Sequence, residues 1–246
     1  MTGLDIRMKR LFRNGTLLLA ALDHGQYVGV PDGLPDVIRA VESIRGCDVD
    51  GYILNPGAAA ALRDFDPSKL LVLRVSHAGT LLSNTSLFNR YFLEPEDALR
   101  LGADAVISMV MLGHDRDADS LGELTKAVAD YHRFGIPVIA EALPADAGLM
   151  SSPKTIADIS RICAELGADI VKTAYTPDFR KVVTSCLAPV IIAGGSKGED
   201  FLRTVAEAMR AGAKGLAMGR NLFQREDPVS FAAEVARAVG RPERGA

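Results

Sequence analysis

Eight short aliphatic runs recur along the chain, each followed by a stretch long enough to form a helix, and this alternation restricts the fold more than any other feature. The runs are residues 16–22, 51–55, 70–76, 105–111, 137–143, 169–174, 189–193 and 215–219. Each is rich in Val, Ile or Leu and apolar on both faces. Buried parallel strands have this character, because helices cover one side and a core fills the other. Amphipathic segments lie between them, among them 97–102, 120–134, 152–166 and 198–211. Three end in a Gly-Ala step, Gly102-Ala103, Gly167-Ala168 and Gly212-Ala213, where glycine provides a left-handed helix cap before the next strand. Eight such units in 246 residues predict a single (β/α)8 TIM barrel, whose usual size is about 250 residues. An open doubly wound sheet is the rival, but no early Gly-x-Gly-x-x-Gly turn marks a dinucleotide crossover. No linker or low-complexity stretch interrupts the pattern, so residues 1–246 read as one domain.

Composition narrows the class of function. Hydrophobic residues at 48% and charged residues at 24% match a globular protein rather than a disordered chain. A formal net charge of −3 with no basic run argues against nucleic-acid binding by phosphate neutralisation. No apolar stretch reaches the roughly 18 residues that a membrane helix needs. The N-terminus lacks the basic, apolar and small-residue order of a secretory signal. Cys47, Cys163 and Cys186 are odd in number and widely spaced, which suits a reducing compartment and offers no zinc pattern. A cytoplasmic protein is expected.

In a barrel of this type, chemistry belongs at the C-terminal ends of the strands. Of eight lysines only Lys172 stands inside a predicted strand, between Val171 and Thr173. A lysine facing the barrel interior loses hydration, which favours the neutral amine that can attack a carbonyl. The competing role is a buried ion pair with Asp23 or Glu141. Asp23 ends the first run and could hold a substrate hydroxyl, relay a proton or merely cap a turn. Glu141 is an isolated acid in the fifth run, a candidate acid/base whose partner could be Arg74 of the third. His24 alternates to the other strand face unless its loop re-aims it, and is grouped with Arg74 among the binding residues. After the seventh run come Gly194, Gly195, Ser196 and Lys197; after the eighth come Gly219 and Arg220. Glycine loops in those two units let backbone N–H groups approach an anion, the usual phosphate site of such barrels. His114 with Asp115 and Asp117 has neither a second histidine at helical spacing nor a facial triad, so no metal is expected. Tyr175 has the wrong strand parity for Lys172, and Tyr27 and Tyr91 on loops carry no stronger claim.

Asp23-His24-Gly25, Val171-Lys172-Thr173, Gly194-Gly195-Ser196-Lys197 and Gly219-Arg220-Asn221 together resemble the archaeal-type class I fructose-bisphosphate aldolase family. Its superfamily includes the tagatose-bisphosphate and deoxyribose-phosphate aldolases, and the stretch from Ala211 to Gln224 is especially similar to the family's final unit. The resemblance spans nearly the whole chain. It implies an imine at Lys172, Asp23 close to that imine, and phosphate at Gly195, Ser196, Gly219 and Arg220. It extends to members with shifted activity, a transaldolase-like synthase of archaeal aromatic biosynthesis and a thiolase acting on a phosphorylated signal-breakdown product. One departure stands out. The family's fifth strand ends in an aromatic pair before proline, with tyrosine as proton donor, whereas here Leu143 occupies the tyrosine position before Pro144. Glu141 becomes the leading substitute.

The combined expectation is a Schiff-base aldolase acting on a phosphorylated keto-sugar or short ketone phosphate, with no cofactor because the iminium itself accepts electrons. Acyl transfer or transaldol transfer by the same lysine is the alternative, and a non-catalytic barrel binding a phosphorylated metabolite is a third. A homo-oligomer is expected by analogy.

Overall fold

The eight aliphatic runs form strands β1 (Leu17–Ala21), β2 (Gly51–Leu54), β3 (Leu70–Arg74), β4 (Ala105–Leu112), β5 (Val138–Pro144), β6 (Ile170–Thr173), β7 (Val190–Ala193) and β8 (Gly215–Met218). This computed structural model describes residues 1–80, 82, 88–195 and 200–241. Each strand pairs in parallel with its neighbours in chain order, and β1 pairs with both β2 and β8. The sheet therefore closes into the predicted single (β/α)8 barrel.

Helices follow the strands as the pattern requires. The longer ones are Asp117–His132 after β4, Pro153–Glu165 after β5, Phe201–Ala211 after β7 and Pro228–Ala238 after β8. Gly102, Gly167 and Gly212 have φ of 82°, 101° and 108°, the left-handed caps expected before β4, β6 and β8. Two features escaped the strand-and-helix pattern. Helix Gly3–Leu11 precedes β1, begun by a capping box between Thr2 and Asp5, and its Leu11 packs fully buried into the barrel interior. A short antiparallel pair, Ser76–His77 with Arg90–Tyr91, follows β3, so Ser76 belongs to this hairpin and not to the third strand.

Alternation sorts each strand into two faces. Leu18, Ala20, Leu71, Leu73, Val106, Val138, Ala140, Val171 and Ile192 pack outward against helices. Leu17, Leu19, Leu70, Val72, Ala105, Ile107, Ile139, Ile170, Ile191 and Ala217 fill the interior. Two residues farther along the same inward face stand Arg74, Glu141 and Lys172, above an apolar floor and below the open mouth.

Candidate active site

At the C-terminal mouth a cavity of about 450 Å³ is lined by Asp23, His24, Tyr27, Arg74, Glu141, Lys172 and Arg220 among others. That volume lies within the range of about 300–1,000 Å³ found for small-molecule sites. Strand register brings its centre together: Glu141 on β5 lies beside Lys172 on β6. Lys172 Nζ donates to Glu141 Oε1, and Arg74 Nη2 donates to Glu141 Oε2. Arg74 also turns to the first strand's loop, donating Nε to Asp23 Oδ2 at 2.7 Å. The result is a continuous chain Asp23–Arg74–Glu141–Lys172, all four side chains buried.

Both carboxylates thus share one guanidinium. Burial pushes the Glu141 carboxyl up, but the charges of Lys172 and Arg74, with their hydrogen bonds, pull it down further, so it is held ionised below its ordinary value. Burial likewise opposes the charge on Arg74, and Asp23 and Glu141 overcome it. Arg74 therefore sits in the ionic centre between two acids, with Nη1 buried and unpartnered among the described residues. Asn55 Nδ2 steadies the loop after β1 by donating to the Asp23 carbonyl at 3.1 Å.

His24 does not stay on the outer strand face. It opens the short helix Gly25–Val28 and swings toward the mouth, edge-on to Phe223 with ring centroids 5.5 Å apart. Its ring fills the space that a side chain at Gly219 would need, since a Cβ there would lie 2.3 Å from His24 Cε1. Burial is the main cause of its lowered pKa; Asp23 opposes the shift, and Lys172 and Arg220 add to it. The imidazole is therefore neutral near pH 7.

The glycine edges line the same cavity. Gly194 N–H is used within the sheet, donating to Ala217 O at 2.8 Å, while Gly195 turns away with φ of 63°. Asn221 Nδ2 donates to Gly194 O at 2.7 Å and so ties the loop after β8 to the loop after β7. Asn221 was visible only as part of the Gly219-Arg220-Asn221 run; its bridging role depends on two loops meeting. Ser196 and Lys197 lie outside the described residues.

Other candidates fall elsewhere. Tyr175 points to the helix layer and donates to Glu207 at 2.8 Å. His114 folds back on its own loop, with Nε2 2.9 Å from Met111 O. Among the described residues no group of three or more His, Cys, Asp or Glu is placed to hold a metal ion. Leu143 and Met109 form apolar wall on the side where Glu141 stands, and Tyr27, set aside in the sequence, lines the cavity as well.

Residues 17–225 match the profile of the DeoC/LacD family aldolases. The chain belongs to that family. This aldolase-family chain is 36% identical over 241 residues to the 2-amino-3,7-dideoxy-D-threo-hept-6-ulosonate synthase 1 of Archaeoglobus fulgidus, covering 94% of this chain and 89% of that protein. It is 33% identical over 248 residues to the 3-hydroxy-5-phosphonooxypentane-2,4-dione thiolase of Klebsiella pneumoniae, covering 96% and 81% respectively. Among solved structures it is similar to an archaeal fructose-1,6-bisphosphate aldolase whose catalytic lysine is covalently bound to a carbinolamine intermediate. The TM-score is 0.86 and the identity 30%, over 96% of this chain and 99% of that one.

Proposed function

We propose that this protein is a Schiff-base (class I) aldolase that makes or breaks a carbon–carbon bond in a phosphorylated keto-sugar or short ketone phosphate. The observation that carries the proposal is the position of Lys172, lining the cavity with its Nζ against Glu141, where Gly194, Gly195, Gly219 and Arg220 line the same cavity. Attack on a ketone needs the neutral amine, and the acceptor in contact with Nζ is Glu141 Oε1. Glu141 takes that proton, and Lys172 forms the carbinolamine and then, with loss of water, the iminium. Asp23, fixed by Arg74, takes the proton of the substrate hydroxyl as the carbon–carbon bond breaks. The bonding electrons move into the iminium and leave an enamine. The glycine edges and Arg220 hold the phosphate, and Ser196 and Lys197 complete that set in the sequence. In this reading no metal or organic cofactor is required, and the protein acts in the cytoplasm as a homo-oligomer. Among the described residues no helix is long and apolar enough to cross a membrane.

Borohydride reduction in the presence of a panel of ketose phosphates, followed by mass spectrometry, is expected to leave one adduct, on Lys172. Lys172→Met is expected to abolish both adduct and turnover. Undiminished cleavage by that variant would end the proposal.

A second reading keeps the imine and changes the acceptor. Leu143 on the cavity wall, and relatives named as a synthase and a thiolase, favour transfer to a second substrate over simple cleavage. Turnover that depends on an added aldehyde or on coenzyme A would distinguish it.

A further inference from the structure

Tyr27 brings a phenol to the cavity. Tyr27 stands on the short helix Gly25–Val28, which Gln26 anchors to the hairpin after β3 by donating Nε2 to Ser76 O at 2.7 Å. Its ring lies beside Arg74, with Cζ 5.8 Å from the ring centroid, so its place is tied to the Asp23–Arg74–Glu141–Lys172 chain. Its Oη is buried; the Gln26 side chain is its polar neighbour, and among the described residues no group meets it at full hydrogen-bond geometry. A buried hydroxyl without a full hydrogen bond works against stability.

The reaction does call for one. Cleavage leaves an enamine whose carbon must gain a proton. Glu141 is held as a carboxylate between Lys172 and Arg74, and Asp23, whose Oδ2 is turned to Arg74, receives the substrate hydroxyl's proton at the cleavage step and is the reservoir from which the donor is recharged. Arg74 and Arg220 do not release theirs, and Lys172 is by then part of the enamine. Leu143, on the inward face of β5, has no proton to give. His24 and Tyr27 remain among the cavity-lining side chains described. His24 Nδ1 and Tyr27 Oη are both buried without a partner at hydrogen-bond geometry among the described residues, but the His24 ring is wedged against Gly219 and Phe223, whereas the Tyr27 ring lies against Arg74 of the ionic chain.

We propose that Tyr27 is the catalytic proton donor to the enamine carbon, an inference that rests on the Schiff-base reading above. The substrate hydroxyl gives its proton to Asp23 as the carbon–carbon bond breaks and the aldehyde forms. The Tyr27 O–H then gives its proton to the enamine carbon, which restores the iminium and leaves a phenolate. Protonated Asp23 returns a proton to the phenolate, so the groups finish as they began. Water adds to the iminium and releases the ketone and the Lys172 amine. Burial keeps the phenol protonated against the pull of neighbouring Arg74, the state in which it can donate.

The test uses dihydroxyacetone phosphate as the ketone, without aldehyde, in deuterium oxide. Wild-type protein should trap it on Lys172 with borohydride and exchange its α-proton with solvent. Tyr27→Phe should trap to the same extent while exchange falls by about 100-fold or more, the size of a lost acid–base group. Its melting temperature should equal or exceed that of the wild type, since a buried hydroxyl without a full hydrogen bond has been removed. Undiminished exchange in Tyr27→Phe overturns the proposal, as does exchange that survives there and is lost in His24→Asn. Loss of trapping together with exchange in Tyr27→Phe also overturns it, because Tyr27 then acts before the imine. Wild-type protein that neither traps nor exchanges instead overturns the Schiff-base reading beneath it.

Discussion

Asp23, Arg74, Glu141 and Lys172 are at most 6% exposed, and their formal charges cancel. Charges removed from water are costly unless each has partners, and here each has at least one. Glu141 carries the greatest share, because it accepts from both cations. Replacing it by glutamine leaves Lys172 and Arg74 with only Asp23 as counter-charge. Glu141→Gln is expected to lower stability by about 3–5 kcal/mol, the usual cost of breaking a buried pair from one side. Its pH dependence has a definite sign. The folded carboxyl titrates below its ordinary value of 4.5, so its contribution is complete above that value and is lost as pH falls toward and through the folded pKa. Thermal melts from about pH 3 to pH 7 should show the variant losing less stability on acidification than the wild type. Parallel acid limbs in the two proteins would contradict this placement of Glu141.

At the scale of strands and helices, what could be anticipated depended on whether a residue's role was periodic. The strands, the glycine caps and the inward placement of Glu141 and Lys172 follow from alternation that a single run of sequence displays. The bridge through Arg74 was legible only as a possible partner for Glu141, because Asp23 reaches it across more than fifty positions of chain. The cavity-facing turns of His24 and Tyr27 depend on the four-residue helix Gly25–Val28, too short to leave a periodic trace. Close approach between strands is equally invisible in composition. A Cβ at Gly215, where φ is 145°, would fall 1.9 Å from the Leu17 carbonyl oxygen of the neighbouring strand. Glycine is the residue that permits β8 to close against β1 there. Gly215→Ala is expected to destabilise the protein by more than about 4 kcal/mol, the range reserved for severe backbone conflict. At Gly122, on the exposed face of the Asp117–His132 helix, an added Cβ meets nothing within 4 Å. Gly122→Ala should instead stabilise by about 0.4–1 kcal/mol through the unfolded chain. Urea titration of the two variants checks both signs.

Over the whole molecule the two ends of the barrel are built for different purposes. The C-terminal mouth holds the ionic chain and the Tyr27 hydroxyl, whereas the N-terminal end holds a clamp. Asp50, fully buried just before β2, accepts from Leu18 N at 2.8 Å, from Asn14 Nδ2 at 2.8 Å and from Arg241 Nη2. Arg241, beyond the last helix, also donates Nε to Thr16 Oγ1 at 3.0 Å and Nη2 to the Thr16 carbonyl at 2.6 Å. The segment just after the Pro228–Ala238 helix is thereby fastened to the seam between the first two strands. None of these groups lines the cavity. Arg241→Ala leaves Asp50 buried without its counter-charge and is expected to lower stability by about 3–5 kcal/mol. Borohydride labelling of Lys172 at temperatures below the transition should be unchanged. Because the clamp and the ionic chain share no partner, the losses in Arg241→Ala and Glu141→Gln should add to within about 0.5 kcal/mol in the double variant. Coupling well beyond that, or a labelling defect in Arg241→Ala, would mean that strain at one end of the barrel reaches the other and that the division between stability and chemistry is not the one drawn here.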